Sequence, residues 1–223
     1  MATVRVTHYS DILCVWAYIC QIRVEELQRN FAEQVELNYC LFPVFGATQE
    51  KFDTSWGSRG GVEAYNRHVL EISQQFPHVS VHQDIWLKAA PKSSLPAHLH
   101  LLATRLMVGE GKVHEDAFAK LAQLIRRAFF AELQDVSNAD VLLALIEQAD
   151  LPVDDIGQKI KSGQAYAAMA ADIQLAQSLS IRSSPTMLFN EDRQRLAGNV
   201  GYRIIEANIR ELLETPEAQQ TWC

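Results

Sequence analysis

Residues 3–19 decide the fold, and they read Thr-Val-Arg-Val-Thr-His-Tyr-Ser-Asp-Ile-Leu-Cys-Val-Trp-Ala-Tyr-Ile. The alternation of apolar and polar residues over 3–8 predicts a short β-strand. A helical pattern begins at Cys14 and continues to about Phe31, and a second strand is predicted over 35–43. A strand, a helix and a strand in this order form a βαβ unit, which requires parallel strands and a right-handed crossover.

The middle of the chain has a helical pattern. Between about 60 and 180 no convincing strand pattern appears. The predicted helices cover 61–75, 95–109, 113–131, 138–149 and 163–179. We expect Ser137 to cap the fourth of these helices. Residues 43–60 are rich in Gly, Ser, Thr and Asp, which predicts a surface loop.

Strand character returns near the C-terminus. Residues 186–189 are an apolar run, 190–192 a turn, and 195–200 a hairpin partner. Residues 202–214 form an amphipathic helix. Its predicted inward residues are Ile204, Ile205, Ile209, Leu212 and Leu213. The fold class is therefore α/β, with a sheet domain in two parts, 1–60 and 163–223, interrupted by a helical insertion over 61–162.

Composition excludes several functional classes. The 223 residues are 48% apolar and carry 20 Lys and Arg against 27 Asp and Glu, a formal charge of −7. This apolar content excludes a disordered chain, and the negative charge argues against a nucleic-acid binder. No apolar run is long enough to span a membrane, and the N-terminus lacks the pattern of a secretory signal. We therefore expect a cytoplasmic protein with reduced thiols.

The cysteine and histidine spacings predict no metal site. The four cysteines are Cys14, Cys20, Cys40 and Cys223. No two of them are separated by only two residues, so neither a zinc ribbon nor a Cys-x-x-Cys redox pair is present. The histidine pairs at 78 and 82 and at 98 and 100 lack acidic or cysteine companions at a useful spacing. We expect Cys40 to lie in the core and Cys223 to be an exposed, disordered thiol.

Cys14 is the first candidate for chemistry. It lies where the first strand meets the following helix, and the first N–H groups of a helix have no partners within it. These N–H groups and the helix dipole stabilise a thiolate, which predicts a lowered pKa for Cys14. The alternative is that Cys14 is a small apolar residue packed at the end of a strand.

Three segments resemble the DsbA-like branch of the thioredoxin superfamily, the FrnE-type proteins in particular. Residues 10–19 resemble its active-site turn, Ser-Asp-x-x-Cys-Pro-Trp-Cys-Tyr. Residues 127–142 resemble its mid-domain signature, an aromatic-rich helix followed by Asp-Ile-Ser and another helix. Residues 176–186 resemble the segment that leads to its cis-proline. The three segments occur in the family's order, which implies a thioredoxin fold with a helical insertion.

The resemblance implies the site residues. Cys14 is the implied catalytic residue. The implied substrate-binding positions are Asp11, Trp16, Ala17, Ser184 and Pro185. The family implies a thiol or peptide substrate beside Cys14 that pairs with the backbone before a cis Pro185. Sequence alone favours a trans bond at this proline, because cis bonds are a small minority of X–Pro bonds.

The sequence departs from the family pattern at two positions. Ala17 replaces the resolving cysteine, and Val15 replaces the proline. Cys20 is six residues from Cys14, about 9 Å along a helix, and disulfide Cα atoms lie within about 7 Å. A mixed disulfide on Cys14 therefore has no internal thiol to release it, which places the usual dithiol cycle in doubt.

Near relatives of the family also lack that cysteine. The kappa-class glutathione transferases and the 2-hydroxychromene-2-carboxylate isomerases place a single serine at the position that matches Cys14, and use it with glutathione. Asp192 and Arg193 faintly resemble the acidic and basic pair with which those enzymes hold the γ-glutamyl end of glutathione. The alternative for this pair is a charged hairpin turn.

Three functions remain open. The first is a DsbA-like thiol–disulfide oxidoreductase with one active-site cysteine, acting through mixed disulfides with glutathione or a protein. The second is a glutathione-dependent transferase or isomerase for a small electrophile, and the third is a redox-inactive binding module. We expect no permanently bound cofactor, with glutathione as a cosubstrate. We expect neither nucleic acid nor membrane as a partner, and a homodimer stays open.

Overall fold

The computed structural model describes residues 3–215. The strands are β1 (Val4–Ser10), β2 (Val35–Leu41), β3 (Thr186–Phe189) and β4 (Gln194–Ala197). The helices are α1 (Val15–Phe31), α2 (Thr48–Ser55), α3 (Gly61–Ser73), α4 (Ile85–Lys88), α5 (Leu95–Gly109), α6 (Ala117–Phe130), α7 (Ala139–Gln148), α8 (Val153–Lys161), α9 (Gln164–Ser178) and α10 (Tyr202–Glu214). Two 3₁₀ turns cover Ala32–Gln34 and Gly57–Arg59.

The four strands form one mixed sheet in the order β2-β1-β3-β4. Strand β1 is parallel to β2, with Val4 opposite Val35, as the predicted βαβ unit requires. Strand β3 is antiparallel to β1, with Thr186 opposite Tyr9, and β4 is antiparallel to β3. Because β1 and β3 run in opposite directions, the end of β1 and the beginning of β3 meet at one edge of the sheet.

Helices cover both faces of the sheet. Apolar residues of α1 and α10 pack on one face, where Val6 and Phe189 of the strands meet Leu27 and Ile209. Helix α9 packs on the other face, where Tyr9 and Cys40 contact Ala176. These layers confirm the thioredoxin-like α/β fold that the sequence predicts. Cys40 is a buried core residue, as predicted.

The inserted helices form the main core together with the turn around Cys14. Residues 12–15 and the first turns of α1 belong to the same buried cluster as the apolar faces of α5, α6 and α7. Helix α9 contacts α5 and α8 of the insertion as well as β2. The turn that carries Cys14 therefore lies at the junction between sheet and insertion. The division at residues 60 and 162 stays a prediction.

The prediction of a surface loop over 43–60 is wrong. This segment contains α2 and the 3₁₀ turn Gly57–Arg59. Helix α2 has a polar sequence with only Thr48 and Phe52 buried, so it carries little apolar periodicity. The ring centroids of Phe52 and Tyr65 are 5.1 Å apart. Tertiary contacts therefore support a helix that the local sequence pattern does not predict.

Smaller differences concern the other helices. Helices α4 and α8 lie in stretches where no helix was predicted. Asn138 rather than Ser137 caps α7, because its side chain accepts a hydrogen bond from the backbone N–H of Asp140 at 2.9 Å. Ile204 was predicted to face inward, but it is 53% exposed.

Two further predictions concern membrane spans and the C-terminal cysteine. Among residues 3–215, no helix combines the length and apolar character needed to cross a membrane. The expectation for Cys223 lies outside the described residues.

Candidate active site

Cys14 occupies the N-cap position of α1. Its backbone is extended, with φ −80° and ψ 117°, and its carbonyl accepts the backbone N–H of Tyr18 at 3.0 Å. The turn is closed by a hydrogen bond from the N–H of Cys14 to the carbonyl of Asp11 at 3.2 Å. The sulfur therefore lies at the beginning of the helix, as the sequence predicts, but the residue is only 7% exposed.

The segment before β3 contacts Cys14 directly. The thiol of Cys14 donates to the carbonyl of Ser184 at 3.1 Å. The Ser184–Pro185 peptide bond, for which the resemblance implied a cis geometry, is cis. The N–H of Asp11 donates to the Ser184 hydroxyl at 3.0 Å, and the Pro185 carbonyl accepts from Gly198 at 2.8 Å. Two distant parts of the chain thus form one site.

Asp11 supports the turn that carries Cys14. Its side chain is fully buried, and it accepts hydrogen bonds at 2.8 Å from the N–H groups of Leu13 and Phe45 and from the hydroxyl of Ser94. Substrate binding by Asp11 stays a prediction, and the structure gives this carboxylate the role of holding the turn. Ser94 immediately precedes α5, so this carboxylate also joins the turn to the insertion.

His98 is a second buried polar group behind the turn. Its Nε2 accepts the N–H of Ile12 at 3.1 Å and lies 3.7 Å from a carboxylate oxygen of Asp11. Burial lowers the pKa of His98, so the ring is neutral and Nε2 can act as an acceptor. The sequence placed His98 on a helix but carried no signal for these contacts, since 86 residues separate it from Ile12.

The pKa of Cys14 is raised, which corrects the prediction of a lowered value. Burial is the largest cause, and the negative charge of Asp11 adds to it. The side chain of Ser184 and the N–H groups of Ala17 and Trp16 act in the opposite direction. The beginning of the helix therefore does favour the thiolate, as predicted, but the cost of removing a charged sulfur from water is larger.

The remaining predicted positions on α1 differ in exposure. Trp16 is half-buried, and its ring meets Phe76 edge to face at 6.1 Å, so it forms one wall of the site. Ala17 is fully buried, and its predicted contact with a substrate stays a prediction. Ser184 is half-buried and Pro185 is buried.

Asp192 and Arg193 do not belong to this site. They lie in the hairpin after β3, which is at the opposite end of the sheet from Cys14 because Phe189 pairs with Val6 near the beginning of β1. Asp192 pairs with Arg195 at 2.5 Å, and Arg193 donates to the carbonyl of Thr215 at 2.8 Å. The prediction that this pair holds glutathione beside Cys14 is therefore wrong.

A cleft of about 640 Å³ lies on the insertion side of the site. It is lined by Thr48, Gln49, Phe52, Asp53, Gly61, Val62, Trp86, Ala90, Pro91 and Lys92. The rings of Phe52 and Trp86 lie 5.1 and 5.4 Å from Tyr65. The pKa of Tyr65 is raised by burial first and then by the charges of Cys14 and Asp11. Phe52 and Trp86 thus line the cleft and pack on Tyr65, and all three belong to the same buried cluster as Cys14.

The chain matches a family model for almost its whole length. The model of the DSBA-like thioredoxin domain matches residues 5–210. Among curated proteins, the ClpXP adapter protein SpxH of Bacillus licheniformis is 29% identical over 103 residues, 44% of this chain and 34% of that protein. SpxH of Halalkalibacterium halodurans is 25% identical over 142 residues, 61% of this chain and 44% of that protein. The chain spans less than half the length of these relatives.

Solved structures show the same fold at low sequence identity. SCO1869 of Streptomyces coelicolor, described as a probable DsbA oxidoreductase, has a TM-score of 0.71 at 17% identity, covering 99% of this chain and 93% of that one. The cytosolic disulfide reductase DsbM of Pseudomonas aeruginosa, solved with glutathione, has a TM-score of 0.63 at 18% identity, covering 95% of this chain and 98% of that one. A 2-hydroxychromene-2-carboxylate isomerase has a TM-score of 0.63 at 14% identity, covering 95% of this chain and 97% of that one.

Proposed function

This chain belongs to the DSBA-like thioredoxin domain family, and from that premise we propose that it catalyses thiol–disulfide exchange through Cys14 alone, with glutathione as the second thiol. The observation that carries the proposal is the contact between the Cys14 sulfur and the carbonyl of Ser184, at the beginning of a helix and beside Pro185. Position 17 offers a methyl group where a resolving thiol would stand. The DsbM structure, solved with glutathione, supports the choice of the second thiol.

The reaction has two steps. The Cys14 thiolate attacks the glutathione sulfur of a glutathionylated protein, so a Cys14–glutathione disulfide forms and the protein thiolate leaves and takes a proton. A glutathione thiolate then attacks the glutathione sulfur on Cys14. Oxidised glutathione forms, and the Cys14 thiolate is released. In sum, one mixed disulfide between the protein and glutathione and one free glutathione thiol give one protein thiol and one oxidised glutathione.

The residues around Cys14 have separate roles in these steps. While the thiol is protonated, it donates a hydrogen bond to the carbonyl of Ser184. Ionisation ends that donation, so the carbonyl becomes free to accept an N–H of an extended substrate. The N–H groups of Trp16 and Ala17 favour the thiolate at the same moment. Asp11 holds the turn that presents the sulfur.

An exchange assay with matched variants tests the proposal. The protein is incubated with a glutathionylated peptide and glutathione, and oxidised glutathione is measured. We expect one labile glutathione adduct, on Cys14, and loss of activity in Cys14→Ser. Cys20→Ala removes a buried thiol on the other side of α1 and should keep the activity. An unmodified Cys14, or equal activity in Cys14→Ser, would contradict the proposal.

A second candidate is a binding module, because the curated relatives are named as adapter proteins. In that case the groove beside Pro185 would hold an extended segment of a client without chemistry. Cys14→Ser separates the two functions, since it should abolish exchange but leave the affinity for an extended peptide unchanged. Peptide binding measured by fluorescence anisotropy, without any exchange activity in the native chain, would favour the module.

The transferase or isomerase hypothesis has weaker support. The isomerase and DsbM are both under 25% identical to this chain, so both likenesses show the fold alone, and the cysteine at position 14 is what favours exchange over transfer. Glutathione conjugation to a model electrophile tests it directly. Conjugation that is lost in Cys14→Ser would replace the exchange proposal.

A further inference from the structure

Arg126 of α6 is a buried cation without an acidic partner. The residue is 6% exposed, and its Nη1 donates to the side-chain oxygen of Gln21 at 3.0 Å. Its Nε has no hydrogen-bond partner. Within residues 3–215, no carboxylate forms an ion pair with it. Because a buried guanidinium is costly without a counter-charge, this position calls for an explanation.

The hydrogen bond to Gln21 directs Arg126 towards the Cys14 side of α1. Gln21 and Cys14 are seven residues apart, which is about two helical turns, so both lie on the same face of α1. Between them, Tyr18 stacks on Phe130 of α6 with ring centroids 4.8 Å apart. Helix α6 therefore lies along this face of α1. Of the charges that raise the pKa of Arg126, an ionised Cys14 acts most strongly, although burial lowers this pKa overall.

Apart from the carboxylate of Glu25, the titratable groups that share a cavity with Arg126 are neutral. Burial, with a smaller effect of Arg126, lowers the pKa of His8 on β1 to about 3, so its ring is neutral. Burial raises the pKa of Tyr39 on β2 to about 12. Glu25 of α1 accepts from the Gln21 side chain at 3.1 Å, at the edge of a cavity of about 30 Å³ that these groups share.

The groups that face Cys14 from the other elements are negative or neutral. Asp11 is a carboxylate in the preceding turn, and its charge opposes ionisation of the thiol. The phenol of Tyr65 on α3 stays protonated, because burial and these same charges raise its pKa. Cys20 on α1 has a raised pKa as well, chiefly through burial. Arg126 is therefore the buried cation of this cluster, and the half-buried Arg23 acts on Cys20.

We infer that Arg126 stabilises the thiolate of Cys14 from behind α1 and thereby sets the pH at which this cysteine reacts. Arg126 is a positioning residue, since it acts through the charge on Cys14 and is held in place by Gln21. On ionisation the thiol proton leaves for solvent, and the pair of charges replaces one unpaired buried cation. The inference rests on the proposed function only in that an ionised Cys14 is the attacking species.

The pH dependence of Cys14 alkylation tests the inference. The rate constant with iodoacetamide is measured at Cys14 by peptide mass spectrometry across the alkaline range, together with thiolate absorbance in the ultraviolet. Arg126→Gln should raise the midpoint by about one pH unit, so that alkylation below the midpoint is roughly ten-fold slower. Arg126→Lys should restore part of the difference. Arg127→Gln is the matched control, because Arg127 is exposed and pairs with Glu132.

A second variant keeps the test decisive if Arg126→Gln does not fold. Gln21→Leu leaves the charge in place but removes its anchor, so it should raise the midpoint by a smaller amount. An unchanged midpoint in folded Gln21→Leu, or in folded Arg126→Gln, would overturn the inference. None of these outcomes depends on turnover. If Cys14→Ser loses exchange but the midpoint is unchanged in the Arg126 variants, the proposed function is supported and the inference about Arg126 fails.

Discussion

Two opposing effects meet at the Cys14 sulfur. A sequence that places a cysteine between a strand and a helix predicts a stabilised thiolate, and the nearby N–H groups of Trp16 and Ala17 act in that direction. Burial is a tertiary property, however, and the sequence around residue 14 does not contain it. The inserted helices complete the core around this turn, and they raise the pKa of the thiol.

Ala17 is the position at which the dithiol chemistry of the family can be restored. It lies three residues after Cys14, almost one helical turn, which is within reach of a disulfide. We expect Ala17→Cys to form an internal disulfide with Cys14 under oxidation and, once reduced, to reduce insulin, which the native chain should do poorly. Ala17→Ser is the control for size and polarity. An oxidised Ala17→Cys protein that keeps both thiols free would contradict this expectation.

The lowered pKa of the buried His8 predicts that the folded protein loses stability in acid. Its pKa is about 3 in the folded protein and near 6.5 when unfolded, so the unfolded chain binds the extra proton below pH 6.5. The contribution of His8 is therefore complete above pH 6.5 and is lost as the pH falls towards 3, by up to about 1.4 kcal/mol for each pH unit.

The His8→Phe variant isolates this effect. Both ring nitrogens of His8 lack hydrogen-bond partners in the described part of the chain, so phenylalanine removes the titration without breaking a bond. Between pH 7 and pH 4.5 the free energy of unfolding should fall by about 2 kcal/mol less in the variant than in the native chain. Urea unfolding at both pH values measures it, and parallel pH profiles would refute the assignment.

At the scale of elements, one ion pair connects α5, α9 and β2. Arg105 of α5 donates through two nitrogens to Asp172 of α9, both at 2.9 Å. Asp172 also accepts the backbone N–H of Leu41 at 2.8 Å, at the end of the edge strand β2. Asp172→Ala leaves Arg105 and a buried N–H without their partner, so we expect a loss of about 3–5 kcal/mol in the free energy of unfolding.

A surface pair provides the matched control for Asp172. Glu206 and Arg210 pair one turn apart on α10, where Arg210 is exposed. Glu206→Ala should cost only about 0.5 kcal/mol, because water solvates both charges in the absence of the pair. Urea unfolding curves of both variants measure the difference. Equal losses would show that the Arg105–Asp172 pair does not join its elements.

The success of prediction differed between elements for physical reasons. The predicted range 95–109 coincides with α5, which is long and apolar enough to carry a clear periodic pattern. Helices α2 and α8 are short and bury only two residues and one residue, so their patterns were too weak to read. Asp192 and Arg193 were misplaced because a local motif does not show to which end of the sheet its hairpin belongs.

At the scale of the molecule, the order of the three family-like segments was enough to predict the fold. The same order placed Cys14 and Pro185 at one edge of the sheet, and the structure joins them through Ser184. The contacts of Ser94, His98 and Arg126 could not be predicted in this way. Ser94 and His98 connect the insertion to the Cys14 turn and Arg126 connects it to α1, each across a long sequence separation that no periodic pattern records.

The last prediction concerns how the molecule responds to glutathione. Helix α2 has 8 residues with two of them buried, whereas α5 has 15 residues with eight buried, so the amide hydrogens of α2 should exchange faster than those of α5. It also lines the cleft next to the aromatic rings around Tyr65. If a ligand on Cys14 extends into this cleft, it stabilises α2 by contact.

Hydrogen exchange of the Cys14–glutathione disulfide, compared with the reduced protein, measures this response. We expect slower exchange at Trp16, Ala17 and Ser184, next to the sulfur, and over Thr48–Ser55. The hairpin at 190–193 is an internal control, since it lies at the other end of the sheet and should not change. Slower exchange at the hairpin together with an unchanged α2 would mean that glutathione leaves the cysteine in the opposite direction, along β3, and would exclude the cleft as its binding site.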